Sequence, residues 1–201
     1  MHLITGPNFS PLGRVVAALT MAVVTLFALF EIAAVGAADP ILTFTEFQKD
    51  GVNGVDGLFG VHDVVVSPDG KHLYSVSLVD DAISVFSRNS ATGVLTFVEF
   101  QKDGVDGVDG LNGGISLTIS PDGNHIYATG VTDDAVAVFN RNTTTGVLAF
   151  VEVHKDGLNG VDELDGAISV TVSSDGKNIY VAAPTDDAVT RYSVATRRQA
   201  L

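Results

Sequence analysis

From residue 115 to residue 120 the chain alternates: Ile115, Leu117 and Ile119 are apolar, and Ser116, Thr118 and Ser120 are polar. A period of two marks a strand with one buried face. Pro121-Asp122-Gly123-Asn124 follows and has the composition of a hairpin turn. His125 to Val131 predicts a second strand, and Thr132-Asp133-Asp134 turns the chain. Ala135 to Asn140 alternates small and bulky apolar residues and predicts a third strand. After the turn Asn142-Thr143-Thr144-Thr145-Gly146, Val147 to Val153 predicts a fourth. No window carries a helical stripe of apolar residues.

This four-strand unit is written three times. Glu46-Phe47-Gln48-Lys49-Asp50-Gly51 returns as Glu99-Phe100-Gln101-Lys102-Asp103-Gly104 and as Glu152-Val153-His154-Lys155-Asp156-Gly157. Asp69-Gly70 returns as Asp122-Gly123 and Asp175-Gly176. Asp80-Asp81-Ala82 returns as Asp133-Asp134-Ala135 and Asp186-Asp187-Ala188. The spacing of 53 residues falls in the range of solenoids, propellers and arrays. It divides residues 39–201 into repeats at about 42–94, 95–147 and 148–201. Four short antiparallel strands and a long Gly-rich link to the next four describe a β-propeller blade.

The blocks Val66-Ser67-Pro68-Asp69-Gly70-Lys71-His72-Leu73-Tyr74 and Ile179-Tyr180-Val181-Ala182 each precede Asp-Asp-Ala and a bulky strand. In this the chain resembles the lactonase-like, YVTN-type seven-bladed propeller family, which includes 6-phosphogluconolactonase-like enzymes. The resemblance covers residues 41–194. It implies an all-β fold and, for complete members, lactone hydrolysis by His, Arg and acidic side chains around the central channel. Three blades fall short of the four to eight that close a ring. The expected fold is therefore an incomplete propeller: an outer strand at Ile41–Gln48, two complete blades, and three further strands ending near Val194. After Tyr192 the repeat calls for Ser-Arg-Asn-x-Thr-Thr-Gly-x-Leu, whereas the chain reads Ser193-Val194-Ala195-Thr196-Arg197-Arg198. A one-base shift of reading frame would nearly restore the repeat, so a truncated or frameshifted propeller is the expectation. Open strand edges and apolar blade faces also predict self-association, with Ile41–Gln48 of one copy completing the last blade of another.

The stretch QKDGVDGVDGLNGG at residues 101–114 links two blades, running from the outer strand of one to the inner strand of the next. Its acids are three residues apart and no Glu closes the loop, unlike an EF-hand. Propeller topology puts Asp103, Asp106 and Asp109 on the same face as Asp133 and Asp134. These five fit two readings. One is a loosely built Ca²⁺ site, since hard cations take carboxylate and backbone oxygens. The other is a set of turn acids multiplied by duplication, with no cofactor.

His72 and His125 occupy equivalent hairpin positions where the third copy has Asn178, and are expected on the strand surface. His62-Asp63 replaces the repeat's Ile-Ser (Ile115-Ser116, Ile168-Ser169) at the entrance of an inner strand. His62 is thus the one candidate for a channel-facing catalytic group, against the alternative of a tolerated strand-end substitution. No Gly-x-Ser-x-Gly elbow, phosphate-binding loop or His-Glu-x-x-His occurs. The sequon Asn142-Thr143-Thr144 lies in a turn that the repeat already explains.

A net charge of −13 on 201 residues argues against nucleic acid as a partner. There is no Cys, hence no disulfide and no thiolate chemistry. Residues 1–38 differ from the rest. Arg14 precedes the apolar run Val15–Phe30, and small residues follow at Val35-Gly36-Ala37-Ala38. This is the layout of a secretory signal peptide; the alternative is an uncleaved membrane anchor, the only case in which a membrane would be a partner. Export to the periplasm, the cell surface or the medium is the expectation. The functions that follow are an interaction scaffold, a lactone hydrolase, or a Ca²⁺-dependent surface protein.

Overall fold

The computed structural model describes residues 41–195. The signal-peptide segment and the departure from the repeat after position 195 lie outside the described residues. From Glu46 onward the described chain forms one compact unit. Of the preceding unit only residues 41–45 are described, and all of them are exposed.

Eleven strands make up the described secondary structure, with no helix among the described residues. The first sheet holds β1 (Val61–Val66), β2 (His72–Ser77), β3 (Ala82–Arg88) and β4 (Leu95–Lys102), in that order. The second holds β5 (Gly114–Ile119), β6 (His125–Gly130), β7 (Ala135–Arg141) and β8 (Leu148–Lys155). The third has β9 (Ser169–Val172), β10 (Asn178–Ala183) and β11 (Ala188–Ser193). Every pairing is antiparallel. The alternation in the sequence set these strands to within two residues, because one face of each must be buried while hairpin turns fix the ends.

The two complete sheets are copies down to their irregularities. A bulge falls between Val61 and Asp63 in β1, and between Gly114 and Ser116 in β5. A second falls between Val85 and Phe86, and again between Val138 and Phe139. Bulges bend a strand and re-aim its side chains. Their repetition makes each blade curve alike.

The core lies between sheets. Tyr74, Val76, Ile83 and Val85 of the first blade pack against Leu111, Leu117, Ile126 and Phe139 of the second. Tyr127, Val136 and Val138 of the second pack against Leu164, Val170, Ile179 and Val181 of the third. Each sheet therefore buries its face only by having a neighbour, as repeat architectures do.

One expected strand is absent. Ile41–Gln48 forms no ladder: the first sheet consists of β1 to β4, and the segment pairs with none of them. Part of the segment still behaves as an outer strand. Leu95 N donates to Glu46 Oε1 at 2.8 Å, and Gln48 Nε2 donates to Leu95 O at 3.3 Å. One repeat later Leu148 N donates to Glu99 Oε1 at 2.9 Å, and Gln101 Nε2 donates to Leu148 O at 3.5 Å. Residues 46–48 thus touch the first blade as β4 touches the second.

Candidate functional site

The acids of the link 103–113 are tied to backbone amides. Asp103 Oδ1 accepts from Leu111 N at 3.0 Å, Asp133 Oδ2 from Asn112 N at 3.2 Å, and Asp81 Oδ1 from Gly113 N at 2.8 Å. The link is therefore clamped between the β2–β3 turn of one blade and the β6–β7 turn of the next. This seats Leu111 and Val108 as buried plugs. The same bonds recur in the next link, where Leu164 N donates to Asp156 Oδ1 and Gly166 N to Asp134 Oδ1. Asp106 and Asp134 themselves adopt left-handed backbone, at φ 52° and 49°, a conformation that Asp tolerates better than most residues.

Of the five acids proposed as cation ligands, three converge. Carboxylate oxygens of Asp103, Asp109 and Asp133 lie within 4.8 Å of one another. Asp106 and Asp134 are not in that group. A cationic group already sits there: Lys155 Nζ is 2.7 Å from Asp109 Oδ1 and 3.2 Å from Asp133 Oδ1. Burial pushes the Lys155 ammonium down, but its bonds to the two carboxylates outweigh this and raise its pKa. The first repeat holds the same trio, Asp50, Asp56 and Asp80, equally close. Among the described residues no Lys or Arg pairs with those three. In the third repeat Asp165 replaces Asn112. Desolvation and the charges of Asp134 and Asp186 raise its pKa.

His62 lies exposed at the bulge of β1, the innermost strand of its sheet. Its neighbour Asp63 is engaged. Asp63 Oδ2 accepts from Ser116 Oγ at 3.2 Å and from Leu117 N at 3.1 Å, tying β1 to β5. The substitution that made this pair a candidate thus binds two inner strands together.

The expectation for His72 is overturned. It is buried, not on a surface, because the second blade covers it. Arg141, at the end of β7, reaches back across the blade boundary. Its Nη2 lies 2.9 Å from Asp69 Oδ2 and 2.7 Å from His72 Nδ1, and its Nε donates to Tyr74 Oη at 2.7 Å. Its Nη1 donates to Gly123 O at 3.0 Å, and Tyr74 Oη donates to Gly146 O at 2.9 Å. A guanidinium only donates, so His72 Nδ1 accepts and the imidazole is neutral. His125 is half-buried at the next boundary, where position 194 is Val and, among the described residues, no guanidinium bonds to it. Sequence reasoning passed over Arg141, though Arg88 and Arg141 stand 53 residues apart at the ends of equivalent strands.

This latch predicts acid sensitivity. Burial first, and then the Arg141 charge, lower the pKa of His72 from 6.5. Partial burial would raise Asp69, but hydrogen bonds from Ser67 and Arg141 hold its carboxyl far below the usual range. Both folded pKa values are depressed, so both groups bind protons more readily when unfolded. Their stabilisation is complete above pH ~6.5 and is lost as pH falls, first through His72 and then, below ~4, through Asp69. Asp122 and Asp175, which accept from the equivalent Ser120 and Ser173, act in the same direction, and Asp165 opposes them. Melting temperature measured from pH 8 to pH 3 is expected to fall in two stages. His72→Asn, the residue of the third repeat, is expected to remove the first.

Two four-stranded sheets and a third of three strands, joined through their faces, define a run of β-propeller blades. The model of the family described as lactonase, seven-bladed β-propeller, matches residues 31–161. The chain belongs to that family. Among solved structures it is similar to a candidate 6-phosphogluconolactonase from Bacteroides uniformis, with TM-score 0.60 and 23% identity over 71% of this chain and 38% of that one. It is also similar to a periplasmic gluconolactonase from Pseudomonas aeruginosa, with TM-score 0.57 and 20% identity over 68% of this chain and 36% of that one. The chain therefore spans well under two thirds of the length of either. No curated protein matches it.

Proposed function

We propose that this chain is an exported interaction scaffold whose acidic link face receives cationic groups of a partner. The observation behind this reading is Lys155. The chain's own ammonium sits between Asp109 and Asp133, and among the described residues none pairs with the equivalent trio Asp50, Asp56 and Asp80. Backbone amides hold all three acids: Leu58 N donates to Asp50 Oδ1, Gly57 N to Asp56 Oδ1, and Phe59 N to Asp80 Oδ2. The trio is thus held in place before any partner arrives, which lowers the ordering cost of binding. The apolar segment Val15–Phe30 and the periplasmic relative support export.

Calorimetry of the full chain with a Lys-rich peptide tests the proposal. Salt-sensitive binding is expected, and Asp56→Asn with Asp80→Asn is expected to abolish it; binding unchanged by both substitutions would refute it. Ca²⁺ is the second ligand suggested by the same oxygens, at the ~10⁻⁴–10⁻³ M typical of loosely built extracellular sites. Lactone hydrolysis is the reading that family membership supports, with His62 on the innermost strand as its candidate group. Turnover of a gluconolactone that is lost in His62→Ala would replace the scaffold reading.

A further inference from the structure

The two open ends of the described blades carry matching halves of the contacts that join the blades inside the chain. At the inner boundary, Arg141 of the second blade meets Asp69 and Tyr74 of the first, and Tyr74 donates to Gly146 O. Shifted by the repeat, the same set is Arg88 and Gly93 on the first blade with Asp175 and Tyr180 on the third. All four residues are present. Arg88 makes the local half of the contact, with Nη1 donating to Gly70 O at 2.9 Å as Arg141 does to Gly123 O. Among the described residues Asp175 has only its turn partners and a distant Lys177, at 3.8 Å.

Apolar burial shows the same complementarity. Tyr74 and Ile83 are 0% exposed where the second blade covers them, whereas their counterparts on the third blade, Tyr180 and Val189, are 38% and 74% exposed. Leu117 and Ile119, on the side of the second blade that meets the first, are 4% and 9% exposed. Their counterparts on the first blade, Val64 and Val66, are 57% and 44% exposed.

The strand edge agrees. Among the described residues β11 has no partner on its outer side. In the complete blades Val85 lies opposite Glu99 and Val138 opposite Glu152. By that register Ala188, Val189, Thr190 and Arg191 would face Lys49, Gln48, Phe47 and Glu46. Only the third repeat has Arg in place of that Val. It would sit across from Glu46, and opposite charges in directly facing positions stabilise a strand pair.

We propose that two copies of this chain associate head to tail, the third blade of one docking on the first blade of the other. Residues 46–49 of each add to β11 of its partner, Arg88 of each reaches Asp175 and Tyr180 across the boundary, and Arg191 faces Glu46. Two such contacts related by a twofold axis close the pair. The contact is heterologous and buries both edges without new sequence.

Light scattering on the full chain is expected to give twice the chain mass. Arg88→Glu and Asp175→Arg are each expected to yield monomers at the same concentration. The double variant, with both charges exchanged, is expected to pair again, which separates a lost contact from a misfolded chain. The chain has no Cys, so Glu46→Cys with Arg191→Cys is expected to cross-link copies under oxidation. A wild-type monomer, or an association unaffected by either single charge reversal, would overturn the proposal. So would open-ended oligomers in place of a closed pair.

Discussion

Replacing Arg141 by Met is expected to destabilise the chain by about 3 kcal/mol, at the lower end for breaking a buried ion pair. For a chain of this size that is a drop of roughly 10 °C in melting temperature. Arg141 is 1% exposed in its side chain, against 30% for Asp69. Its loss leaves Gly123 O and Tyr74 Oη without a donor inside the blade boundary. The cost is not larger because Asp69 faces water and keeps its bonds from Ser67 Oγ and Lys71 N. The stem of Arg141 also packs by Tyr74, with the guanidinium 5.9 Å from the ring centre, and Met preserves part of that contact. Arg88→Met, measured under conditions that keep the chain monomeric, is expected to cost under 1 kcal/mol, as a half-exposed side chain away from such a network does. Urea titration of both variants checks the contrast.

The second large effect is expected at Gly146. This residue closes the turn after β7, where Gly146 N donates to Asn142 O at 2.8 Å and the backbone is left-handed at φ 82°. A Cβ there would lie 2.3 Å from Cδ2 of His72, in the neighbouring blade. Gly146→Ala therefore adds a collision to the left-handed strain, and the two together cost about 3 kcal/mol. Gly104→Ala is the matched control. Its φ is 72° with nothing within 4 Å of a Cβ, so only the strain of about 1–2 kcal/mol is expected. Thermal unfolding of the two variants side by side separates the blade-to-blade collision from turn strain.

The strands and hairpins were legible because their causes are local. Alternation sets which face is buried, and Asp-Gly or Asn-Thr-Thr-Thr-Gly sets where the chain reverses. The 53-residue spacing extended this to the blades. It could not show what one blade does to the next. His72 reads as a surface residue within its own hairpin and is buried only because another blade lies over it. Its partner Arg141 stands 69 residues away, and the only hint was the recurrence of Arg88 at the same place in the first repeat. The bulges left no mark in the pattern, since an extra residue in a strand of small apolar side chains changes no alternation that can be read. Among the acids, the sequence placed all five on one face. The turn conformations then separated Asp106 and Asp134 from the trio Asp103, Asp109 and Asp133. Ile41–Gln48 has the composition of a strand, but the edge its register fits, the outer side of β11, belongs to the last sheet, and the segment pairs with none of the described strands.

At the centre of this account, the charged residues of the repeat hold successive blades together, with the Arg141–Asp69 pair carrying the first boundary. A double-mutant cycle measures that coupling directly, using urea unfolding of Arg141→Met, Asp69→Asn and the two combined. The structure predicts a coupling of about 2 kcal/mol between residues in one buried network. Additive effects, with coupling near zero, would contradict it.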